Sequence, residues 1–514
     1  RKPVEEPPEA TKIKELVENI APGIMADPAN LDITKLNMKG FDDLKVYTDQ
    51  LADEKTKEAE DKMRQEMVRL KELGESSEID KVMAQYEQAM AETKKIPLLP
   101  RVNLEENIDT LEKQYDEQMA SLKMQAEAMK VTEEQLAQMD VDFDEVREQI
   151  AAASTKSKDA YLLGAHYLDE HRSPHEAQEP EILAALLDAF QKGEKTTEGD
   201  YAFVDFSGLD LSGIDLSGAY LEYANFTDTN LSGANLEKAI MAKAILINTN
   251  LTNVNLKEAN IGATTITGAR FIDADLTGAT LGKARISDTQ FQRCKLIDKM
   301  EMFLETEFKN VDFSGSQMQK NNFIETDISG CCFNEAELSE SIFLKPKMQN
   351  AVFHKAILTS VNFVQAEADQ ASFKNARMKN VRFVAGCNLN DAEFSGATIS
   401  EANLRDSNLQ NADFSRANLY KTDFGGADLT GAKFIKAVAV QAQFNKANLT
   451  QALLYRMNLM EGSMFKAILT GTRFAEANLY GANFMGCTLG KTDFTDANLE
   501  QTIFKTWRPG SEFS

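Results

Sequence analysis

The sequence predicts an α+β protein organised by segments, in which a helical N-terminal half precedes a long repetitive solenoid. Two observations support this prediction. Residues 41–153 place apolar side chains three or four positions apart, which is the spacing of one face of an amphipathic helix. From residue 206 to residue 504 a large apolar residue recurs at every fifth position, and Asn, Asp, Ser, Thr and Gly fill many of the places between. The two halves therefore follow two different structural periods.

A period of five fits neither common secondary structure by itself. Steps of five residues rotate successive helical side chains by roughly 140°, which would scatter the large residues around the helix. In a plain strand an odd period would send alternate large residues to opposite faces. A short extended piece followed by a turn instead keeps the large residue and the residue two before it on one side. The clearest of these repeat centres, which we expect to fill the core, are Leu211, Leu216, Leu221, Phe226, Leu231, Leu236, Phe414, Leu419, Phe424 and Leu429.

The stretch from Asp210 to Ala239 reads DLSGIDLSGAYLEYANFTDTNLSGANLEKA and resembles the pentapeptide-repeat family in its recurring A(D/N)LxX phrase. The resemblance implies a right-handed quadrilateral β-helix, in which four repeats make one coil and the central Leu or Phe fills the interior. The repeat centres run in register through nineteen, seventeen and twenty-four repeats. We expect the two extra residues near 297–301 and the one near 384–388 to bulge from the wall.

The N-terminal half divides into three predicted parts. Residues 1–40 begin with a Pro- and Glu-rich stretch and lack sustained periodicity, which predicts a flexible arm. Residues 41–153 predict a domain of helical hairpins, partly coiled coil. Residues 154–195 predict a linker and a final helix that caps the open first coil of the solenoid. The capping residues of this helix are Ile182, Leu183, Leu186, Leu187 and Phe190.

The predicted solenoid spans residues 196–507 and has no second capping helix at its far end. The tail 508–514 has the composition of a cloning scar. The last coil would keep an apolar face and open strand edges unless another molecule covers it. We expect a protein interface there, occupied either by a second copy in a homodimer, as pentapeptide-repeat relatives imply, or by a different partner. Its residues are Phe494, Leu499, Phe504 and Trp507.

The chain carries a formal net charge of −25 that is unevenly distributed. Residues 1–200 hold 26 basic and 46 acidic side chains, and residues 201–514 hold 30 and 35. This acidic excess argues against a nucleic-acid partner that binds through a broad basic surface. No apolar run approaches the roughly 18 residues of a membrane span, so we expect no membrane association.

The sequence predicts no enzyme and no cofactor. It contains no nucleophile elbow or phosphate loop, and the predicted solenoid has a single histidine, His354. The acidic run at 140–144 imitates the start of a calcium loop but lacks its Gly and its final Glu. The histidines within 166–175 do not have the spacing of a zinc site. Four of the five cysteines occupy inward repeat positions, where a thiol acts as a small hydrophobe. We therefore expect no metal site.

Four cations fall on outward positions of the repeats with no acidic residue between them. A run of this kind is usually a solvated surface, and its functional alternative is a patch that binds an acidic partner. The four residues are Lys374, Arg377, Lys379 and Arg382.

Three functions remain open on these observations. The first is a scaffold or adaptor whose helical head and acidic solenoid bind other proteins. The second is a DNA mimic, because some pentapeptide-repeat proteins occupy the duplex groove of type II topoisomerases such as gyrase. The third is a secreted effector.

The passage from Ile182 to Ser217 favours the adaptor. It resembles the junction in large bacterial proteins where a domain of unknown function precedes pentapeptide repeats, and those proteins accompany type VI secretion spike clusters. The resemblance implies a cytoplasmic bacterial protein that helps load an effector onto the secretion spike. A spike protein or an effector would then be its partner.

Overall fold

The structure is a computed structural model that describes residues 155, 158–159, 161–167, 179–194, 196–197, 199–297, 303 and 305–504. Several predicted parts lie outside these residues: the arm 1–40, the helical domain 41–153, Trp507 and the tail 508–514. The domain boundaries that depend on them stay predictions.

Each repeat is a short extended piece closed by a tight turn. The backbone N–H of Ile214 donates to the C=O of Leu211 at 3.1 Å, and Gly213 between them has a φ of 75°. This left-handed conformation is open to Gly and is better tolerated by Asn and Asp than by most other residues. The small polar residues between the repeat centres therefore turn the chain after each centre, as the period of five predicts.

The turns bring the chain around so that each repeat forms a parallel bridge with the repeat twenty residues later. Four ladders result, and we number them 1 to 4 by the members Asp205, Asp210, Asp215 and Tyr220. Ladder 2 is continuous through Asp210, Asn230, Asn250, Arg270, Gln290, Asp312, Cys332, Val352, Ser372, Glu393, Asp413, Lys433, Leu453, Arg473 and Asp493. The described C-terminal region is therefore a β-solenoid with four repeats per coil. Its right-handed sense stays an implication of the resemblance.

Two irregular steps interrupt the spacing of ladder 2. It rises to 22 residues between Gln290 and Asp312 and to 21 between Ser372 and Glu393. These steps contain the positions where the sequence predicts two extra residues and one extra residue. At both steps the ladder continues, because the residues on either side still pair. The first insertion falls at residues 298–302, which lie outside the described residues, so its predicted bulge stays a prediction.

Ten three-residue strands lie on these ladders within the part of the chain that the structure describes. On ladder 1 they are β1 (Ile245–Ile247), β2 (Thr265–Thr267), β3 (Arg285–Ser287), β4 (Glu307–Lys309), β9 (Ile468–Thr470) and β10 (Thr488–Gly490). On ladder 4 they are β5 (Asn322–Ile324), β6 (Ile342–Leu344), β7 (Asn362–Val364) and β8 (Arg382–Val384). The sheet orders are β1-β2-β3-β4, β5-β6-β7-β8 and β9-β10, and all these pairs are parallel.

Asp and Asn recur on the ladders because one side-chain oxygen there accepts two hydrogen bonds. Asp210 Oδ1 accepts from the backbone N–H of Ser212 at 3.1 Å and from Asn230 Nδ2 on the next coil at 2.9 Å. The first bond closes the local turn and the second joins adjacent coils. These bonds supply the physical reason for the D/N of the repeated phrase.

The interior of the solenoid is filled by columns of stacked rings. Phe414 lies between Phe394 and Phe434, with ring centroids 4.7 and 4.9 Å away. A ring in the neighbouring column, Phe424, meets Phe414 edge-on at 5.3 Å. Buried hydroxyls also join the coils, as where Thr249 Oγ1 donates to the C=O of Phe226 at 2.7 Å. Thr229, Ser341 and Thr472 donate in the same way to backbone carbonyls one coil away.

Helix α1 (Glu179–Lys192) precedes the solenoid. Leu186 on this helix is only 3 % exposed and belongs to the same apolar cluster as Val204 and Phe206 of the first coil. The helix ends where Gly193, with a φ of 69°, donates to the C=O of Phe190 at 3.1 Å. A left-handed glycine just after the last turn is a common helix end.

The described residues between 155 and 167 belong to a different compact unit from the solenoid. They include the 3-10 helix Ala165–Tyr167, where the rings of His166 and Tyr167 lie 4.0 Å apart. His171 and His175 lie outside the described residues, as does the acidic run at 140–144. Among the helices of the described residues, none is long and apolar enough to cross a membrane.

Candidate functional site

The repeat centres form the core. Each of the ten predicted centres has no solvent exposure: Leu211, Leu216, Leu221, Phe226, Leu231, Leu236, Phe414, Leu419, Phe424 and Leu429. Between them the ladder and turn positions point outward. A binding surface on the solenoid must therefore use outward side chains or one of its two ends.

The first coil is covered. Phe206 and Leu211 are fully buried, and four further residues of helix α1 pack on the core as half-buried side chains: Ile182, Leu183, Leu187 and Phe190. These are the residues that the sequence suggests for capping, together with Leu186. The apolar end of the first coil is thereby removed from water.

The last coil differs. Of its repeat centres, Leu489 is 49 % exposed, Leu499 39 % and Phe504 41 %, whereas the repeat centres two coils earlier are buried. Phe494 is half-buried, between Phe474 at 5.2 Å and Phe504 at 6.2 Å. Among the described residues, this is where large apolar side chains of the core reach solvent together. We treat this uncovered coil as the candidate interaction site.

The uncovered coil also ends the hydrogen-bonding pattern of the wall. One coil earlier, the N–H of Phe484 donates to the C=O of Ile503 at 2.7 Å, and the N–H of Leu479 donates to that of Asn498 at 2.9 Å. Among the residues that the structure describes, the backbone N–H groups of Leu499 and Phe504 have no such carbonyl acceptor. Open strand edges of this kind pair readily with another chain.

The four cations singled out from the sequence do not point in one direction. Lys374 lies in the turn just after the ladder 2 residue Ser372. Arg377 lies on ladder 3, and Lys379 lies in the turn after it. Arg382 lies on ladder 4. Lys374 Nζ is 2.7 Å from Glu393 Oε1 on the next coil. This hydrogen bond raises the pKa of Lys374 and lowers the pKa of Glu393.

The sequence pattern does not reveal this acidic partner, because Glu393 is nineteen residues from Lys374. The two side chains come together only because one coil of the solenoid stacks on the next. The structure therefore divides the run between three successive ladders, and it gives Lys374 an acidic partner. A patch for an acidic partner at these four residues stays a prediction, and Arg377 with Lys379 are its exposed members on a single ladder.

A polar chain on ladder 2 combines residue types that occur in hydrolases. His354 Nε2 lies 2.8 Å from Ser372 Oγ, and Ser372 Oγ donates to Glu393 Oε2 at 3.1 Å. A catalytic histidine would lie between the serine and the carboxylate, whereas here the serine is in the middle. Its single proton goes to Glu393, which leaves the oxygen as an acceptor for His354. This row of hydrogen-bonded side chains is therefore better suited to holding adjacent coils together than to nucleophilic catalysis.

The buried thiols are protected from ionisation. Burial raises the pKa of Cys294 and of Cys331 to about 12, and it raises that of the half-buried Cys487 to about 11. Cys387 is also buried, and Cys332 is partly exposed. Within the described residues there is no group of three or more His, Cys, Asp or Glu side chains that could hold a metal ion.

The fold and its buried centres define a β-solenoid repeat protein. A family model described as Pentapeptide repeats matches residues 202–237, 229–268, 347–383, 387–426, 412–451, 422–459 and 467–505, and one described as Pentapeptide repeat region matches 264–343. Together they cover more than half of the chain, which therefore belongs to the pentapeptide-repeat family. Among curated proteins, none matches this sequence.

Solved structures similar to this chain include three that differ in source. HetL, a pentapeptide repeat protein involved in heterocyst differentiation regulation in the cyanobacterium Nostoc sp. strain PCC 7120, is 18 % identical; the match covers 62 % of this chain and 96 % of HetL, with a TM-score of 0.16. Full-length QnrB1, a plasmid-mediated fluoroquinolone resistance protein, is 15 % identical, with 44 % and 93 % covered and a TM-score of 0.18. A pentapeptide repeat protein of the Arabidopsis thaliana thylakoid lumen is 21 % identical, with 26 % and 68 % covered and a TM-score of 0.09. At these values the likenesses carry no argument about function.

Proposed function

We propose that this chain is a non-catalytic scaffold or adaptor that binds a protein through the uncovered last coil of its solenoid. The observation that carries the proposal is the difference between the two ends. Leu186 of helix α1 is buried against the first coil, whereas the repeat centres Leu489, Leu499 and Phe504 of the last coil are exposed. A repeat stack needs a cap at each end to stay soluble, so an uncapped end is a place for another molecule.

The occupant that fits this end best is a second copy of the chain, related by a twofold axis. Such pairing joins two identical apolar faces and satisfies the open strand edges of both. It also uses Trp507, which follows the last coil by three residues in the sequence. The alternative occupant is a different protein, which would contact the same apolar residues of the last coil.

Light scattering on the intact chain distinguishes these two occupants. We expect a dimer at micromolar concentration, and a monomer for the double variant Trp507→Ala with Phe504→Ser. A monomer in both proteins would contradict the dimer and leave a different partner as the occupant. A dimer in both would show that the contact between copies lies elsewhere.

The cellular role that we propose is accessory to a bacterial type VI secretion system, with the protein acting in the cytoplasm to load an effector onto the spike. The support for this role is the resemblance of the Ile182–Ser217 junction, which includes most of helix α1 and the start of the first coil. Co-purification with purified spike proteins from the same gene neighbourhood would test it. If the chain binds none of these spike proteins, the secretion role is wrong. The proposal that the uncovered coil binds a protein would still stand.

A further inference from the structure

The charges at the corners of the solenoid are arranged in pairs. We call the left-handed residue that ends each turn the corner residue, because it stacks on the corner residue of the next coil. Opposite charges meet there repeatedly: Arg293 with Asp273 at 2.7 Å, Lys355 with Glu335 at 2.9 Å, Lys345 with Glu325 at 3.4 Å, Lys238 with Glu258 at 3.5 Å, Lys320 with Glu340 at 3.7 Å and Lys283 with Glu305 at 3.9 Å. The sequence thus matches charges across a spacing of about 4.8 Å.

One stretch of the corner between ladders 2 and 3 departs from this arrangement, although Arg293 with Asp273 and Lys355 with Glu335 are paired on the same corner. Arg416, Lys436 and Arg456 are corner residues of three successive coils, with φ values of 60°, 57° and 57°, and all three are exposed. Arg456 has an acidic partner, Glu476, at 2.6 Å. Within the described residues, Arg416 and Lys436 form no ion pair. Like charges stacked on neighbouring coils repel each other, so this column lowers the stability of the fold unless an anion binds it.

An apolar strip runs beside this cation column on ladder 3 and the turn positions after it. Val438 is 44 % exposed and Tyr480 38 % exposed, and the partly exposed side chains of Tyr420, Val440 and Met460 complete the strip. Exposed apolar side chains scattered singly are normal, but a contiguous row on four successive coils indicates a binding surface.

Hydrogen bonds within the wall leave this strip apolar. The asparagines between its members are engaged along ladder 3: Asn458 Oδ1 accepts from the backbone N–H of Met460 at 3.2 Å and from Asn478 Nδ2 at 3.0 Å. A ligand that lies on the strip therefore meets methyl, thioether and ring surfaces first. Along one edge of the strip it meets the cation column.

We propose that this surface, the cation column with the apolar strip, binds an acidic amphipathic helix of a partner protein. Four coils span about 15 Å, which is close to three turns of an α-helix at 5.4 Å per turn. Apolar residues three or four positions apart on the partner would cover the strip, and carboxylates on one flank would face Arg416 and Lys436. The apolar strip makes a nucleic acid the poorer fit, since a phosphate backbone gains nothing there.

This surface lies on the wall of the solenoid and the uncovered coil lies at its end. The two sets of residues do not overlap, so each can be tested without changing the other. Loss of helix binding would leave the proposed end-to-end pairing intact, and a monomeric chain would still bind the helix.

The probe is a fluorescein-labelled 15-residue peptide with Leu at every third or fourth position and Glu on the flanking positions, titrated with the full chain by fluorescence anisotropy. We expect saturable binding that weakens as salt rises. Arg416→Glu with Lys436→Glu should weaken binding at least about tenfold, because two attractions become repulsions. The matched control Lys446→Glu with Lys466→Glu, which reverses two stacked cations on a different corner, should change binding less than about twofold.

Two further variants separate the charge and the apolar contributions. Val440→Ser with Met460→Ser should weaken binding and leave its salt dependence unchanged, and Lys436→Gln tests the column if the double charge reversal alters the far-UV circular dichroism. Equal losses in the corner variant and its control would overturn the proposal. So would equal binding of a peptide with Lys in place of Glu, or tighter binding of a DNA duplex than of the acidic peptide.

Discussion

Removing one ring from the central column tests the packing that holds adjacent coils together. Phe414 is fully buried and its ring contacts Phe394, Phe434 and Phe424 at centroid distances of 4.7, 4.9 and 5.3 Å. Phe→Ala in a core costs about 3–5 kcal/mol through lost burial and the cavity that remains. Because the Phe414 ring contacts three other rings, we expect a cost near the upper end of this range. We expect Phe414→Ala to lower the unfolding free energy by about 4–5 kcal/mol.

The assay is urea unfolding followed by far-UV circular dichroism, with Ser415→Ala as the control. Ser415 is the next residue along the chain and points outward, so its truncation should cost less than about 0.5 kcal/mol. Hydrogen exchange should show the loss of protection concentrated on the coils of Phe394, Phe414 and Phe434, because each coil contacts only its neighbours. A cost below about 1 kcal/mol for Phe414→Ala, or equal costs for both variants, would refute the inward assignment of the repeat centres.

Three other predictions follow from the same structure. Native-state alkylation at pH 8, read by mass spectrometry, should modify Cys332 first and leave Cys294 and Cys331 largely unmodified, because burial raises the pKa of both thiols to about 12; rapid modification of Cys294 would contradict its place in the core. Residues 195–514 alone should give a β-type circular dichroism spectrum and a cooperative melt, and a disordered spectrum would show that the solenoid depends on the preceding residues. DNA gyrase supercoiling should be unaffected by micromolar protein, because residues 201–514 hold 30 basic and 35 acidic side chains and so have only a small net negative charge; inhibition that falls with salt would favour the DNA-mimic function.

The sequence predicts the solenoid well because its information is local. Each five-residue repeat contains one buried centre and one polar turn, so the register of Leu211 or Phe414 can be read without knowing what lies across the coil. The two bulges are equally local, since each appears as a break in the five-residue count. The family resemblance adds the number of repeats per coil, which the twenty-residue bridge spacing shows.

Contacts between coils are harder to predict, because they join residues about twenty positions apart. The pairing of Lys374 with Glu393 and the stacking of Arg416 on Lys436 both need that spacing and its local shifts. A search for like charges at intervals of twenty residues would have found the cation column. The sequence pattern points instead to Lys374, Arg377, Lys379 and Arg382, which are neighbours along the chain and lie on successive ladders.

Photo-crosslinking at the last coil tests the central claim most directly. A photoreactive amino acid replaces Ile503, which is exposed at the uncovered end, and in a matched protein it replaces Ser415 on the wall. Each protein is irradiated in the cells that naturally produce the chain. We predict discrete crosslinked species from position 503 that disappear with Leu499→Asp and are absent from position 415. No crosslink at position 503, or the same species from both positions, would contradict the assignment of the uncovered coil as the end that binds protein.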